Sequence, residues 1–354
     1  MHPILFEIPT PWGALPIYSY GMMLGFSLIV AWYFVMHQGQ KLEGLHPDLM
    51  AHSFIITAVC AIAAARVLYI ATNLDSYHTL GDLFSFQKGG LVAYGGFIGG
   101  FLACWGYSRY RGVPLLPWAD IITPTLGTGL LFTRMGCWLY GCDFGRPLEE
   151  GAPSFLTRLG TFPHWDYSSA HYVWGSTLNG SPAYSHHITT YPERMVGLDH
   201  SLPVHPTQLY ESLAGLIIFG ITYYTLRHRS FKGQVFFVGS IVYALWRFGI
   251  EFVRDDPERG AAFGFSTSQL LSLAIVPVVV LAWIQTKRNL ALNGEPSIPD
   301  SARSDEWLAE HRGIKPDGDD EQGGASDKGA SAKGPKATSS PKGTGSKDKG
   351  KKKR

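Results

Sequence analysis

Charge is scarce in this sequence: Asp, Glu, Lys and Arg together make up 16% of 354 residues, against about 25% in a soluble domain. What charge there is clusters at one end, with 13 of the 30 lysines and arginines in residues 297–354. That end has the opposite lack, since residues 321–354 contain no Val, Ile, Leu, Met, Phe, Tyr or Trp. Such a segment cannot bury a core and is expected to be disordered. The near-zero mean hydropathy (+0.03) and the net charge of +2 therefore average two unlike parts. One large soluble domain is excluded. So is a nucleic-acid binder, because the lysines lie in a tail with interspersed acids and form no patch on a fold. Cysteine is also sparse. Cys60 and Cys104 sit in apolar runs and read as core residues. No CxxC pair or zinc-finger spacing occurs. Residues 1–7 have no basic n-region and no cleavage site, so the first apolar segment is expected to be retained as a span.

Long apolar runs are abundant. A membrane-crossing helix needs about 20 mainly apolar residues. Seven candidates stand at 17–36, 51–73, 89–107, 117–139, 208–226, 234–253 and 268–286. The fold class expected is all-α: a polytopic membrane protein of seven transmembrane helices. A membrane domain would cover 1–290, with an outer-face segment at 142–207, and a disordered Gly/Ser/Lys-rich tail would follow at 291–354. Short loops with Lys41, Arg109, Arg111, Arg227, Arg229, Lys232, Lys287 and Arg288 alternate with loops holding Lys88, Arg254 and Arg259. This bias places the N-terminus outside and the C-terminus in the cytoplasm. The third run carries Gly95, Gly96, Gly99 and Gly100, a spacing that permits close helix packing.

Charges inside such runs cost about 2.5–3.5 kcal/mol each on insertion scales, so they are functional hypotheses. Tyr243, Arg247 and Glu251 recur every four residues and share a helical face. They form either a self-neutralising pair or a polar site facing the bundle interior. Arg134 precedes Met135-Gly136-Cys137-Trp138-Leu139-Tyr140-Gly141-Cys142-Asp143-Phe144-Gly145-Arg146. It can snorkel to the interface or hold a phosphate with its guanidinium fork. Arg66 either snorkels or lines the same cavity. In His205-Pro206-Thr207-Gln208-Leu209-Tyr210-Glu211, Thr207 or its neighbours can cap a helix, with Glu211 favouring the dipole. Capping does not account for the whole cluster of His205, Gln208, Tyr210 and Glu211. Three arginines (Arg66, Arg134, Arg247) with few balancing acids near one leaflet suggest an anionic ligand, in a membrane a phospholipid headgroup.

The ordered series Tyr18-Ser19-Tyr20-Gly21, Arg66-Val67-Leu68-Tyr69, Gly89-Gly90-Leu91-Val92-Ala93-Tyr94-Gly95-Gly96, Arg134 to Arg146, the 205–211 box and Tyr243/Arg247/Glu251 resembles the bacterial prolipoprotein diacylglyceryl transferases over residues 1–288. The resemblance implies a seven-helix enzyme of the cytoplasmic (inner) membrane, its active site toward the periplasmic side. It implies transfer of the diacylglyceryl group of phosphatidylglycerol to the thiol of a preprolipoprotein's lipobox cysteine, with release of glycerol-1-phosphate. No metal or cofactor is implied. Membrane lipids are expected partners and the chain is expected to be a monomer. By position, Arg134 and Arg247 match the family's essential arginines, Tyr20 and Tyr243 its tyrosines, and Glu251 its sixth-helix glutamate. Arg134, Arg247, Tyr94 and Glu251 are the expected catalytic set, and Tyr20, Arg66, Cys137, Cys142, Gly145, Arg146, His205, Gln208, Tyr210, Glu211 and Tyr243 the expected substrate-binding set.

This sequence departs from the pattern at sensitive places. Tyr94 stands where the family usually has histidine. Cys137, Tyr140 and Cys142 replace two asparagines and a glutamate, with Asp143 one position late for that glutamate. An ordinary tyrosine, with a pKa near 10, is a poor base, so Tyr94 is read as a hydrogen-bonding positioner and the base is left unassigned. A Cys137–Cys142 disulfide and two buried thiols are both open. The outer segment carries His164, His171, His186, His187, His200 and His205. It has no metal-ligand spacing, and its histidines and aromatics suit an interfacial belt or a peptide partner. The rival readings are a family relative with another acceptor and a transporter or binding protein for an anion. Inverted repeats would favour the transporter, and no convincing internal repeat is present.

Overall fold

The computed structural model describes residues 1–11, 13–74, 92–164, 181–255, 261–262 and 264–312. Expectations for His171, Lys88, Gly89, Gly90, Arg259 and the chain beyond Arg312 lie outside them. The chain opens with an antiparallel hairpin, β1 (Ile4–Thr10) and β2 (Gly13–Tyr18), which sequence reasoning did not foresee. The helices that follow are α1 (Ser19–Glu43), α2 (Pro47–Thr72), α3 (Ala93–Tyr110) and α4 (Leu115–Tyr140). After two short helices, α5 (Ser154–Leu159) and α6 (Pro182–Thr190), come α7 (Thr207–His228), α8 (Gln234–Ile250) and α9 (Thr267–Asn293). A last short helix, α10, spans Asp305–Arg312.

Five of these, α1, α2, α4, α7 and α9, are long and apolar enough to cross a membrane. At 17 residues α8 is apolar but shorter. The bundle turns its oily residues outward: Ile29, Val59, Phe97, Leu245 and Leu281 are each more than half exposed. In water that surface would drive association, whereas in lipid it is the matching solvent.

The helices pack in two groups. One pairs α2 with α3, and the other joins α1, α4, α7, α8 and α9. Small residues set both approaches. A Cβ on Gly99 would lie 2.3 Å from Ala64 Cβ and 2.8 Å from the Cys60 carbonyl oxygen, and one on Gly95 would lie 2.5 Å from the Ala64 oxygen. The glycine run is thus the contact face of α3. Gly127 on α4 and Gly215 on α7 meet in the same way, a Cβ on Gly215 falling 2.7 Å from the Gly127 oxygen. Gly99→Leu should force α2 and α3 apart at a cost of about 1–3 kcal/mol. Thermal unfolding in detergent checks this, with Gly106→Leu, where nothing lies within 4 Å, as the control that should melt like the parent.

The two ends of the bundle are built differently. At one end Asp120 receives the N–H groups of Gly233 (2.7 Å) and Phe236 (3.0 Å), which start α8, and the Arg229 guanidinium (3.0 Å). A carboxylate is favourable there because it meets the free N–H groups of a helix start. Glu43, at the end of α1, pairs with Arg229 and Lys232. Over this end lies the stretch up to Arg312. Ile298 and Ala302 are buried beside Leu45, Met50 and Trp118, and Arg303 lies over the Trp307 ring. A disordered tail beginning at 291 is therefore corrected. Polar composition hid two apolar residues, Ile298 and Ala302, that join the core.

At the other end residues 142–164 and 181–206 form a lid. Phe144, Phe162, Ala183 and Val204 are its core, and single bridges pair Pro147 with Val204 and Pro163 with His200. His187 is fully buried, and its Nδ1 accepts the Leu202 N–H at 3.1 Å. Burial first, then His186 and Arg194, push its pKa down to about 4 from 6.5. The unfolded chain therefore binds more protons between those values, and stability should rise from pH 4 to 6.5 and level off above, by about 3 kcal/mol in all. Melting curves of the parent and His187→Asn test this: the variant's profile should lose the slope.

Candidate active site

The lid and the helix ends bring three arginines and three carboxylates together. α4 supplies Arg134 one and a half turns before its end. Gly141, in the left-handed conformation (φ 83°), stops the helix, and Asp143 follows, itself left-handed (φ 57°). α7 supplies Glu211, and α8 with the turn after it supplies Arg247, Glu251 and Arg254. Arg134 Nε bonds Glu211 Oε2 and its Nη1 bonds Asp143 Oδ2, both at 2.6 Å. Arg247 Nη1 lies 3.0 Å from Glu251 Oε2 and 3.6 Å from Glu211 Oε1. Arg254 Nη1 reaches Glu211 Oε1 at 3.1 Å, and its Nη2 contacts Asp143 Oδ1. Glu211 is the hub, touched by all three guanidinium groups.

Long-range backbone anchors hold the geometry. Thr207 Oγ1 donates to the Asp143 carbonyl (2.7 Å) and Gln208 Nε2 to the Cys142 carbonyl (2.6 Å). The Gly145 N–H donates to the His205 carbonyl and the Arg146 N–H to the Val253 carbonyl. Only glycine fits at 145, where a Cβ would meet His205 and Thr207 at 2.8 Å. The capping reading of the 205–211 box is thereby overturned. α7 starts at Thr207 with no side-chain cap, and Glu211 lies beyond the first turn. These side chains stitch α7 to the α4 exit loop.

A second correction concerns charge balance. The acids are not few, because Asp143, Glu211 and Glu251 match the three arginines. Burial alone would raise the Asp143 pKa, but Arg134 and Arg254 outweigh it and hold the carboxyl well below its ordinary range. Nor is Arg66 the third arginine of the cluster. It is buried on α2 with its guanidinium 5.7 Å from the Tyr69 ring centroid. The third is Arg254, which sequence reasoning counted as a loop charge. A signal existed, since 247, 251 and 254 continue one helical face.

The tyrosines stand at the rim. Tyr20 lies near Arg134, Cys137, Cys142 and Asp143, and Tyr243 lies near Arg247, Glu211, Arg134 and Tyr94. Tyr20, Tyr94 and Tyr243 are all partly exposed. His205 Nδ1 lies 3.4 Å from the Tyr210 hydroxyl. His205 and Arg146 also line a cavity of about 500 Å³ with Glu149, Leu156, Phe252 and Val253. Cys137 and Cys142 are free thiols. Their sulfurs and a carboxylate oxygen of Asp143 lie within 4.8 Å of one another. Both Asp143 oxygens already serve arginines, so a cation there would have to displace two ion pairs.

Exposure separates the arginines. The Arg254 side chain is 2% exposed, whereas Arg134 and Arg247 keep 20% and 17%. Arg254 is enclosed by its carboxylates, while the other two retain an open face that an anion can approach.

Fold and centre together define a class, a polytopic helical membrane protein with an arginine–carboxylate centre at one end of its bundle. The family model described as prolipoprotein diacylglyceryl transferase matches residues 3–285, and the chain belongs to that family. It is 26% identical over 284 residues to a phosphatidylglycerol–prolipoprotein diacylglyceryl transferase of Clostridium tetani, covering 80% of this chain and 97% of that one. It is 28% identical to the enzyme of the same name from Corynebacterium efficiens (79% and 83% covered). It is also 28% identical to transferase 1 of Clostridium perfringens (80% and 94% covered).

Proposed function

We propose that this chain is the phosphatidylglycerol–prolipoprotein diacylglyceryl transferase of its cell, and that the Arg134/Arg247 face is where the lipid's phosphate is held. One observation carries the reading: the family match over residues 3–285 contains every member of the arginine–carboxylate centre. The acceptor is the lipobox cysteine of a preprolipoprotein, and the transfer is the first step of lipoprotein modification.

The thiolate is the nucleophile. It attacks the diacylglycerol carbon that carries the phosphate ester. The new C–S bond is a thioether, the C–O bond breaks, and its electrons leave with glycerol-1-phosphate. Charge develops on the departing phosphate, where fixed guanidinium groups stabilise it most. Arg134 and Arg247 have the open faces for this. Glu211, Asp143 and Glu251 keep both arginines aimed, and Arg254 ties Glu211 to Asp143. Tyr20, Tyr243 and Tyr94 border the lipid's approach, with Tyr94 as a hydrogen-bonding positioner. The loop around Gly145 and Arg146 and the 205–211 box serve substrate binding.

Seven spans with the N-terminus outside put this centre at the periplasmic face of the cytoplasmic membrane, where exported precursors arrive. α3 and α8 complete the seven. The lysine and arginine bias of the loops supports that orientation. Expression of the chain in a host whose own transferase is shut off should restore thioether-linked diacylglycerol on a lipobox peptide. Folded, inserted protein without that product would refute the assignment.

A further inference from the structure

The transfer step gives Cys137 and Cys142 no chemical task, yet the fold sets their thiols side by side within the centre. The Cys142 N–H bonds the Cys137 carbonyl at 3.2 Å, with Gly141 left-handed between them. That six-to-one closure of a helix end brings the two flanking side chains into contact. Cys142 is partly exposed and Cys137 is buried. Each sulfur also faces the centre. Cys137 Sγ is 3.9 Å from Arg134 Nη1, and Cys142 Sγ is 3.9 Å from Asp143 Oδ2.

We propose that Cys137 and Cys142 form a reversible disulfide, a modification site inside the arginine centre, and that closing it lowers transfer. The effect on transfer rests on the transferase reading, but the bond itself does not. The oxidant is a disulfide, R–S–S–R. Cys142, the more exposed of the two residues, gives up its proton and displaces one RS⁻, forming Cys142–S–S–R. The Cys137 thiolate then attacks the Cys142 sulfur and expels the second RS⁻. Two protons and two electrons have passed from the dithiol to two RSH molecules. The sulfurs, now within 4.8 Å, must close to about 2.05 Å. The bond spans a tight helix-end turn, and strained or exposed disulfides are the labile, regulatory kind. Closure removes the S–H that faces the Asp143 carboxylate and draws Cys137 away from Arg134. Its hydrogen bond to Cys137 and then burial push the Cys142 thiol well above its ordinary range, so closure speeds up as pH rises.

The experiment uses the full chain in detergent, oxidised with glutathione disulfide or reduced with dithiothreitol, then alkylated and digested. The oxidised peptide spanning 137–142 should be two hydrogens lighter and unalkylated, and should revert with dithiothreitol. Transfer should fall about tenfold on oxidation, the scale of one lost hydrogen bond to a charged group, and recover on reduction. Cys142→Ala should show neither the bond nor any oxidised-to-reduced difference, whatever its basal rate. The double variant Cys60→Ser, Cys104→Ser should keep both. Two alkylated thiols after oxidant would overturn the bond. A bond that leaves transfer unchanged would overturn the control. No transfer by the reduced protein would overturn the transferase reading and the control with it, leaving the bond to be judged by mass alone.

Discussion

Arg134→Ala and Arg247→Ala are each expected to lower diacylglyceryl transfer at least ~10²–10³-fold, the usual loss when one fixed donor at a developing charge is removed. The argument rests on what each guanidinium has left over. Arg134 gives Nε to Glu211 and one terminal nitrogen to Asp143, yet stays one-fifth exposed. Arg247 pairs with Glu251 and Glu211, donates to Ser268 at 3.0 Å, and keeps a similar open face. Each thus keeps exposed guanidinium surface beside its carboxylate pairs. Lysine should not rescue either position, because a point charge cannot serve a carboxylate and a phosphate with separate edges. Single-turnover transfer to a lipobox peptide, with folding verified, is the measurement. Full activity in either variant would remove that arginine from the site.

Glu211→Ala should cost about 3–5 kcal/mol of stability, the penalty for stripping one partner from a buried ionic group. Glu211 is 2% exposed and is shared by Arg134, Arg247 and Arg254. Its loss leaves three guanidinium groups around two remaining carboxylates. Domain stabilities run to only about 5–15 kcal/mol, so the variant should yield little folded protein and melt far below the parent. Glu211→Gln keeps the shape but not the charge and should be nearly as damaging. Equal melting temperatures for parent and both variants would show that another group neutralises the arginines.

Much of this centre is legible in the sequence because lipid makes charge conspicuous. Arg134, Arg247, Glu211 and Glu251 interrupt apolar runs, and the spacing of 243, 247 and 251 gives their common face. Asp143 and Arg254 are harder to see. Both fall just past a helix end, where charge is ordinary, and only packing across more than a hundred residues makes them partners. The roles of Thr207 and Gln208 are hidden for the same reason: their acceptors are main-chain carbonyls 64 and 66 residues away. Local pattern suggests a cap, and tertiary context overrides it. The β1–β2 hairpin is missed because it is short and most of β1 is exposed, so no buried face of that strand imposes an alternation.

The stretch that closes over the Glu43 end bears on how the protein can be handled. Ser304 donates its N–H to the Gly44 carbonyl and Arg303 donates to the Glu43 carbonyl at 2.9 Å. The final span is therefore not the end of the folded unit. A truncation at residue 290 would uncover Leu45 and Met50 and loosen the turn between the first two long helices. A purification tag or fused reporter is better attached beyond Arg312 than at the close of α9, where it would compete with the chain's own plug.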